Sequence, residues 1–205
     1  MSRAITFNGI KRGEPAWCIA ELYPEQGGWD EEEYLDLPDN RIIEFDKGFI
    51  EVLPLPTTTH QRIVLFLWRT LHEFAQTRAL GEVLVAAVPV RLWKSKFREP
   101  EVVFMLARHS SRIGDKYWRG ADLVMEVVSR DPESRNRDLV IKRREYAKAG
   151  IPEYWIVDPR NREITVLQLS QGKYMVHGKF GKSESASSHL LNGFEVAVVT
   201  VFSQR

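Results

Sequence analysis

Two acidic residues and a lysine occupy positions that apolar packing would not favour. Glu126 interrupts the run Asp122–Val128, whose apolar residues occupy both faces of an extended chain and predict a strand buried on both sides. An ionised carboxylate there is costly unless a cation or several donors meet it. Lys142 lies one helical turn after Asp138 and one turn before Tyr146, so a helix would present all three on one face. This arrangement predicts a metal and phosphate site.

A second carboxylate, Glu101, stands at the head of the next strand towards the amino terminus. If the two strands are neighbours, Glu101 and Glu126 can converge on one ion. Mg²⁺ prefers oxygen ligands and is commonly held by one or two carboxylates together with substrate phosphate. Phosphodiester hydrolysis needs an activated water and charge stabilisation on the phosphoryl oxygens, and Lys142 is placed to assist both. We therefore expect Glu101 and Glu126 to bind Mg²⁺, with Mn²⁺ as an alternative, and Lys142 to take part in catalysis.

Each of these residues also has an ordinary structural explanation. Glu126 could be neutralised by an arginine such as Arg137 or Arg143. Glu101 could be an exposed residue at a strand entrance. A lone lysine such as Lys142 is usually a surface residue of a helix, and it is the joint appearance of the three that favours a site.

Four further residues are predicted neighbours of the site. Glu44 shares a strand face with Ile42, so it either enters the site and assists catalysis or faces solvent at a hairpin edge. His60 lies in the first turn of a long predicted helix, where capping or packing is a more common role than metal binding. Asp138 and Tyr146 flank Lys142 on its helix face. The sequence alone leaves the role of each of them open.

Basic residues cluster in segments that alternate with the predicted carboxylate strands. The net charge is only +1, which excludes a polycation that would coat nucleic acid indiscriminately. The cluster after the Glu126 strand could contact the phosphates of nucleic acid, or it could be a solvated surface. Our candidates for nucleic-acid contacts are Arg130, Arg135, Arg137 and Arg143.

The pattern of apolar residues, caps and turn residues predicts the elements that must position the site. In chain order they are a helix at 30–37, a hairpin of strands 41–45 and 49–53, a helix from 57 to 80, strands 82–93, 101–106 and 122–128, a helix at 137–149, a strand at 153–157, a hairpin of strands 164–169 and 173–178, and a strand at 194–202. This order predicts an α/β (α+β) fold: a mixed central β-sheet flanked by helices, with an additional N-terminal β-hairpin and C-terminal strands.

Length and composition indicate one ordinary globular domain. The 205 residues contain 43% hydrophobic and 28% charged residues, without a Pro/Gly/Ser-rich linker. We expect an irregular leader at residues 1–29 and a single domain at 30–205. No apolar run reaches the roughly 18 residues of a membrane span, and the amino terminus lacks a secretory signal. Cys18, the only cysteine, excludes an internal disulfide, and together these features predict a cytoplasmic protein.

Several of these segments resemble the Uma family of restriction-endonuclease-like proteins. The similarity covers roughly residues 30–203, and its most specific part is 122–159. The matching segments are 41–51 with 54–60, Glu99-Pro-Glu-Val, 121–129, Asp138 with Lys142 and Tyr146, and 150–159. The resemblance implies the PD-(D/E)XK nuclease superfamily, that is, a restriction-endonuclease-like sheet and Mg²⁺-dependent cutting of DNA.

On this resemblance Glu101 takes the place of the aspartate of the family motif, and Glu126 that of its second acid. Lys142 takes the place of a motif lysine that has moved from the strand to the next helix, because Val128 stands where that lysine would be. The extra methylene of Glu101 shifts its carboxylate by about one bond length, comparable to the tolerance of catalytic geometry.

The sequence thus predicts a Mg²⁺-dependent endonuclease that hydrolyses phosphodiester bonds in DNA. One alternative is a catalytically weakened nucleic-acid-binding or protein-interaction module on the same fold, motivated by Glu101 in place of aspartate. Another is a hydrolase of RNA or small nucleotides. We also expect a homodimer, because cutting both strands of a duplex needs two sites.

Overall fold

The computed structural model describes residues 23–37, 41–129 and 131–204. Most of the predicted leader, residues 1–22, and the predicted contact residue Arg130 lie outside the described residues. The helices are α1 (Glu31–Leu35), α2 (Thr58–Thr77), α3 (Pro132–Asn136), α4 (Arg143–Lys148) and α5 (Val198–Val201), with a 3₁₀ helix at Ala107–Arg112 and a π-helix at Arg137–Lys142. The strands are β1 (Ile43–Asp46), β2 (Phe49–Val52), β3 (Gly81–Val85), β4 (Val90–Trp93), β5 (Lys96–Arg98), β6 (Val102–Leu106), β7 (Trp118–Arg119), β8 (Leu123–Val127), β9 (Glu153–Asp158), β10 (Glu163–Ser170), β11 (Lys173–Phe180), β12 (Ser185–Ser187) and β13 (Glu195–Ala197).

A six-stranded mixed sheet forms the centre of the molecule, in the order β11-β10-β9-β8-β6-β3. Its pairs are antiparallel except for β8 and β9, which run parallel and are joined through α3, the π-helix and α4. A parallel pair needs such a long crossover, which here carries Lys142 past the face of β8. The predicted mixed α+β architecture is confirmed.

The two faces of this sheet are covered differently, and β8 shows how. Leu123 and Met125 pack with α2 residues such as Leu67 in one apolar cluster. Val124 belongs to a second cluster on the opposite face, together with Tyr146 of α4. Because side chains alternate along a strand, Glu126 points to the same face as Val124, towards the crossover helices.

A second sheet of five strands has the order β2-β1-β5-β4-β7. The β1–β2 hairpin turns at Lys47 and Gly48, both with positive φ, and a side chain at Gly48 would collide with the Gly27 carbonyl oxygen. Helix α1 packs on this sheet through Tyr34, which stacks on Phe45. The capping box between Asp30 and Glu33 fixes the start of α1. This sheet places Glu44 of β1 and Arg98 of β5 beside the crossover helices.

A third sheet of two strands, β12 and β13, is fastened to the central sheet by a buried carboxylate. Oε1 of Glu153 accepts hydrogen bonds from Trp155 Nε1 at 2.6 Å and Ser188 Oγ at 2.7 Å. Its Oε2 accepts the backbone N–H groups of His189 and Leu190, both at 2.7 Å. Four donors thereby satisfy a carboxylate that is almost completely buried.

Three predicted elements differ from the structure. The predicted strand 82–93 is two strands of different sheets, β3 and β4, because the chain turns at Ala86–Pro89 and Pro89 has no N–H for a ladder bond. The predicted helix 137–149 begins at Pro132, after the cap residue Asp131, and is interrupted by the π-helix. The predicted strand 194–202 is wrong beyond Ala197, because Val198 and Val201 are buried at helical spacing in the cluster that contains α2.

No helix within the described residues combines the length and the apolar character required to cross a lipid bilayer.

Candidate active site

Glu126 lies in β8 with its carboxylate almost completely buried. Its Oε1 accepts hydrogen bonds from Lys142 Nζ at 2.8 Å and from the Tyr146 hydroxyl at 2.6 Å. The partner of Glu126 is therefore the predicted lysine and not one of the arginines considered as alternatives.

The π-helix brings Lys142 to this position. Lys142 and Asp138 are its buried residues, whereas Val140 and Ile141 are partly exposed, and Lys142 Nζ lies 3.7 Å from Asp138 Oδ1. The hydroxyl of Tyr154 in β9 donates to the Asp138 carbonyl at 2.9 Å and ties this helix to the sheet. A π-turn inside an α-helix is rare and often found at functional sites.

Glu44 enters the site from β1 and does not face solvent. Its Oε1 lies 3.1 Å from Lys142 Nζ, an ion pair whose angle is not that of a hydrogen bond. Its Oε2 accepts a hydrogen bond from Arg98 Nη1. The same guanidinium donates to Glu145 of α4 through Nε at 2.7 Å and Nη2 at 3.1 Å.

Arg98 and Glu145 were not predicted as residues of the site from the sequence. Arg98 belongs to a basic segment that reads as solvated surface, and β5, the short strand that buries it, was not predicted. The alternation Lys96-Phe-Arg98 in front of a Glu-Pro pair is the one signal that could have indicated a strand.

Glu101 stands at the head of β6 and is partly exposed. Its Oε2 accepts the Val127 N–H at 2.5 Å, which fixes it beside the end of β8. Its Oε1 is hydrogen-bonded to Nε2 of His60. The hydroxyl of Thr57 caps α2 by accepting the His60 N–H at 3.2 Å, so the cap holds the turn that carries the imidazole.

Lys142 is shared by three carboxylates, and the pKa values follow from this sharing. Burial opposes the ammonium form, but Glu126, Glu44 and Asp138 raise the pKa of Lys142. Burial also opposes ionised Glu44, yet Lys142 and Arg98 lower its pKa. Burial raises the pKa of Glu126 to about 8 and of Asp138 to about 6, because Lys142 only partly offsets it and neighbouring acids oppose ionisation. The positive charge beside Glu126 and Asp138 therefore does not fully compensate for their burial and for the neighbouring acids.

His60 and Glu99 are perturbed by the same surroundings. Burial opposes protonation of the imidazole, but the bond to Glu101 and the nearby acids raise the pKa of His60. Burial raises the pKa of Glu99 to about 7, although its Oε1 accepts the Tyr34 hydroxyl at 3.1 Å.

These groups line a narrow cavity of about 40 Å³. Its polar lining comprises His60, Glu99, Glu101, Glu126, Ser129, Arg137, Asp138 and Lys142. That volume holds a few water-sized groups, enough for an ion with part of its hydration shell but not for a large ligand. We call this space the acidic cavity.

The chemistry of the acidic cavity fits a divalent cation, although its ligands are not assembled around one point. Within the described residues, no group of three Asp, Glu, His or Cys side chains is positioned to hold a metal ion. Glu101 and Glu126 nevertheless offer carboxylate oxygens to one cavity, where burial leaves Glu126 and Asp138 short of positive charge. A dication is the kind of ligand that offsets this deficit, and oxygen donors suit Mg²⁺ or Mn²⁺.

The predicted nucleic-acid contacts already have protein partners. Arg135 makes two hydrogen bonds to Asp158, at 3.2 and 2.8 Å. Arg137 donates to Glu51 at 2.8 Å, and Arg143 to the Tyr174 carbonyl at 3.3 Å. Among the described candidates, Arg137 lines the acidic cavity.

Comparison with known proteins identifies the family of this chain and supports the fold described above. The model of the family described as "Uma2: Putative restriction endonuclease" matches residues 31–199. The chain belongs to the Uma2 family. The description of the family is that of a nuclease. The family predicted from the sequence is confirmed for this Uma2 protein. None of the curated proteins matches the sequence.

A solved structure shares the fold of this Uma2 protein. It is described as a "putative nuclease belonging to DUF820 from Anabaena variabilis ATCC 29413", with a TM-score of 0.69 and 15% sequence identity. The match covers 88% of this chain and 99% of that one. The agreement extends over nearly the whole length of both chains and confirms the predicted nuclease-like fold.

Proposed function

We propose that this Uma2 protein is a Mg²⁺-dependent endonuclease that hydrolyses phosphodiester bonds in DNA, with Mn²⁺ as an alternative ion. The single observation that supports this most is the acidic cavity, which is lined by Glu101, Glu126 and Asp138 from separate elements and in which the Lys142 ammonium pairs with Glu126 and Asp138. The negative charge left over there suits a dication together with an anionic phosphate.

In this proposal Glu101 and Glu126 hold the ion. When bound, the ion supplies Lewis-acid stabilisation of the phosphoryl group and a more acidic water. The Tyr146 hydroxyl and the Val127 N–H orient the two carboxylates by donating to them. Lys142, held between Glu44 and Glu126, pairs with a phosphoryl oxygen as negative charge develops there. Glu44 assists by fixing the ammonium.

DNA would be held by its phosphates. Arg137 lies at the wall of the acidic cavity, and its buried Nε has no hydrogen-bond partner within the described part of the chain. An incoming phosphate could satisfy that N–H. Arg135 and Arg143 would have to exchange their present partners, so we expect Arg137 to contribute more than either. Such contacts give affinity without reading sequence.

The test is cleavage of plasmid, single-stranded DNA and RNA with Mg²⁺, Mn²⁺ or EDTA, for the wild type and four variants. We expect cleavage of DNA that EDTA abolishes, and a loss of at least roughly 100-fold in Glu126→Gln and Lys142→Ala. Glu195→Gln, an exposed acid in β13, is the matched control and should keep full activity. Circular dichroism must show that each variant folds. Glu101→Gln changes a less buried residue and replaces Lys142→Ala in the comparison if Lys142→Ala does not fold.

Unchanged cleavage in folded Glu126→Gln and Glu101→Gln would remove the proposal. Cleavage of RNA in preference to DNA would retain the site but change the substrate to the alternative considered above.

The pairing of the candidate ligands favours one second candidate, a nucleic-acid-binding module with weak or no cleavage. The carboxylate of Glu101 is hydrogen-bonded to His60, and that of Glu126 to Lys142 and Tyr146. If these contacts persist, metal ions will not bind. Titration calorimetry with Mg²⁺ separates the candidates, because absence of heat together with salt-sensitive DNA binding indicates the module.

A further inference from the structure

A second, larger cavity of about 460 Å³ opens beside the acidic cavity. His60 and Glu101 line both spaces, so their hydrogen-bonded pair stands at the boundary. Leu53, Pro54 and Pro56 line both spaces and form a common wall. The backbone N–H of Ala86 donates to the Glu101 carbonyl at 3.1 Å, which fixes the far wall relative to the acidic cavity. We call this second space the side cavity.

The lining of the side cavity is mostly apolar. Leu55, Val64, Val85 and Ala87 contribute aliphatic surface, and Leu55 is 81% exposed at the rim. Gln61 adds an amide that makes no side-chain hydrogen bond within the described ranges, so it can donate to or accept from a ligand. The volume falls within the range of about 300–1,000 Å³ that is usual for small-molecule sites. Arg41 adds a guanidinium to this lining. A flat, largely apolar ligand with a polar edge fits this chemistry.

We propose that the side cavity binds an unpaired nucleobase of the strand being cut, next to the phosphate at the acidic cavity. The substrate class is then single-stranded DNA or an unpaired segment within a duplex. This inference rests on the proposed function, since the phosphate must lie at Glu101 and Glu126 for its neighbouring base to reach the side cavity.

The geometry disfavours an intact duplex. Bases in a duplex are stacked and paired, so one can enter a side cavity only after it is flipped out, at a cost of a few kcal/mol. An unpaired strand has no base pair to break, so this part of the cost does not arise. The acidic cavity is also narrow, with Glu126 and Lys142 almost completely buried, so a flexible strand approaches it more easily than a rigid double helix.

The side cavity predicts tolerance of base identity. Aliphatic walls desolvate the two faces of any base. Among the described residues, the polar side chains of the lining are Arg41, Gln61 and the His60–Glu101 pair, whose members are hydrogen-bonded to each other. Within the described part of the chain, no Phe, Tyr or Trp ring lines the side cavity, so the stacking on such rings that strengthens many single-strand sites is absent from it. We therefore expect modest affinity and weak sequence preference.

Binding can be measured without turnover by placing 2-aminopurine, a fluorescent adenine analogue quenched by stacking, at successive positions of a short single strand. The full chain is added with Ca²⁺, and a gel checks that the strand stays intact. We expect a fluorescence increase at one position, weakened about fivefold in affinity by Leu55→Ser, which removes apolar wall, and by Ala87→Leu, which fills space. Leu65→Ser, half-exposed on α2 and outside both cavities, is the matched control and should bind normally.

Cleavage assays on the same strands, single or annealed, separate this inference from the proposed function. Faster cutting of the single strand, with a raised KM and little change of kcat in Leu55→Ser, supports both. Cutting that is equal for single strand and duplex and indifferent to Leu55→Ser overturns the inference and leaves the nuclease standing. If nothing is cut, the proposed function fails, and the 2-aminopurine signal alone decides whether the side cavity takes a base. A signal equal at all positions, or unchanged in both variants, overturns it.

Discussion

The Lys142 ammonium is the central charge of the site, and it is insufficient for the acids around it. Glu44 benefits from both Lys142 and Arg98, which accounts for its lowered pKa. Glu126 and Asp138 share the remaining compensation from Lys142. It is too small to offset their burial, so the pKa of both is raised. A protein optimised only for stability would replace such acids, because a buried carboxylate without full compensation is destabilising. Their presence therefore suits a ligand that brings positive charge.

At the residue level, stability should fall as pH rises from about 4.5 to 8. Glu126 has a pKa of about 8 in the folded protein against 4.5 as the unperturbed value, so the folded state binds more protons across this window. Its contribution is fully present below the unfolded pKa and is lost as pH rises through the folded pKa. Urea denaturation of the metal-free protein at several pH values measures the slope.

Glu126→Gln provides the comparison, since an amide does not titrate but still accepts from Lys142 and Tyr146. The variant should lose stability less steeply between pH 5 and 8 than the wild type. Parallel pH profiles for the two proteins would show that Glu126 is ionised throughout this range.

At the level of elements, the π-helix sets the direction of Lys142. Deleting Ile141, which is partly exposed, should convert this turn to regular α-helix. The residues before the deletion would then rotate by about 100° about the helix axis relative to those after it. Lys142 would then leave Glu126, and we expect cleavage to fall as far as in Lys142→Ala. Ile141→Ala keeps the residue count and should remain active. Full activity of a folded deletion variant would show that the wide turn is dispensable.

The cap of α2 supports a different part of the site. Thr57→Ala removes the acceptor of the His60 N–H and should cost about 1 kcal/mol. For a chain of this size that corresponds to a fall in Tm of roughly 2–4 °C. Thr57→Ser retains the hydroxyl and should restore the Tm, which differential scanning calorimetry can establish. A Tm unaffected by Thr57→Ala would mean that other contacts hold this turn.

The sequence predicted elements whose local signals agree with their packing. Helix α2, with its cap at Thr57 and its apolar stripe, and strand β8 lie close to where periodicity placed them. The contact of Lys142 with Glu126 and Asp138 was predictable from the sequence, because a helix that follows a strand can pack against that strand in few ways. The contacts of Arg98 and Glu145 were not, because Arg98 lies 54 residues from its partner Glu44 and 47 residues from its partner Glu145. The helix at Val198–Val201 was also unpredictable, since its valines favour strands and only packing makes them helical.

At the scale of the molecule, the acidic cavity lies where the two larger sheets and the crossover helices meet. Glu44 comes from the five-stranded sheet, Glu126 from the six-stranded sheet and Lys142 from the π-helix between α3 and α4. Forming the site therefore requires the chain to be folded as a whole. The predicted homodimer, the single domain at 30–205 and the cytoplasmic location stay predictions.

Because the site draws on the whole fold, a cation that binds there should stabilise the whole chain. At a concentration of 100 times Kd, binding to the folded state alone adds about 2.7 kcal/mol. Mg²⁺ should therefore raise the Tm by roughly 5–10 °C, and EDTA should reverse the change. Glu101→Gln and Glu126→Gln should show much less of it, whereas Glu195→Gln should match the wild type. A Tm insensitive to Mg²⁺ and Mn²⁺ would argue against a metal site.

The carboxylate of Glu153 links the far end of the chain to its interior. If the polypeptide were shortened to stop ahead of Ser188, three of the four donors would be gone and an anion would remain in the sheet beside the Trp155 indole. Expression of such shortened forms should give insoluble protein. Limited proteolysis between β11 and β12 should likewise inactivate the molecule, although every acid of the acidic cavity would remain in the larger fragment.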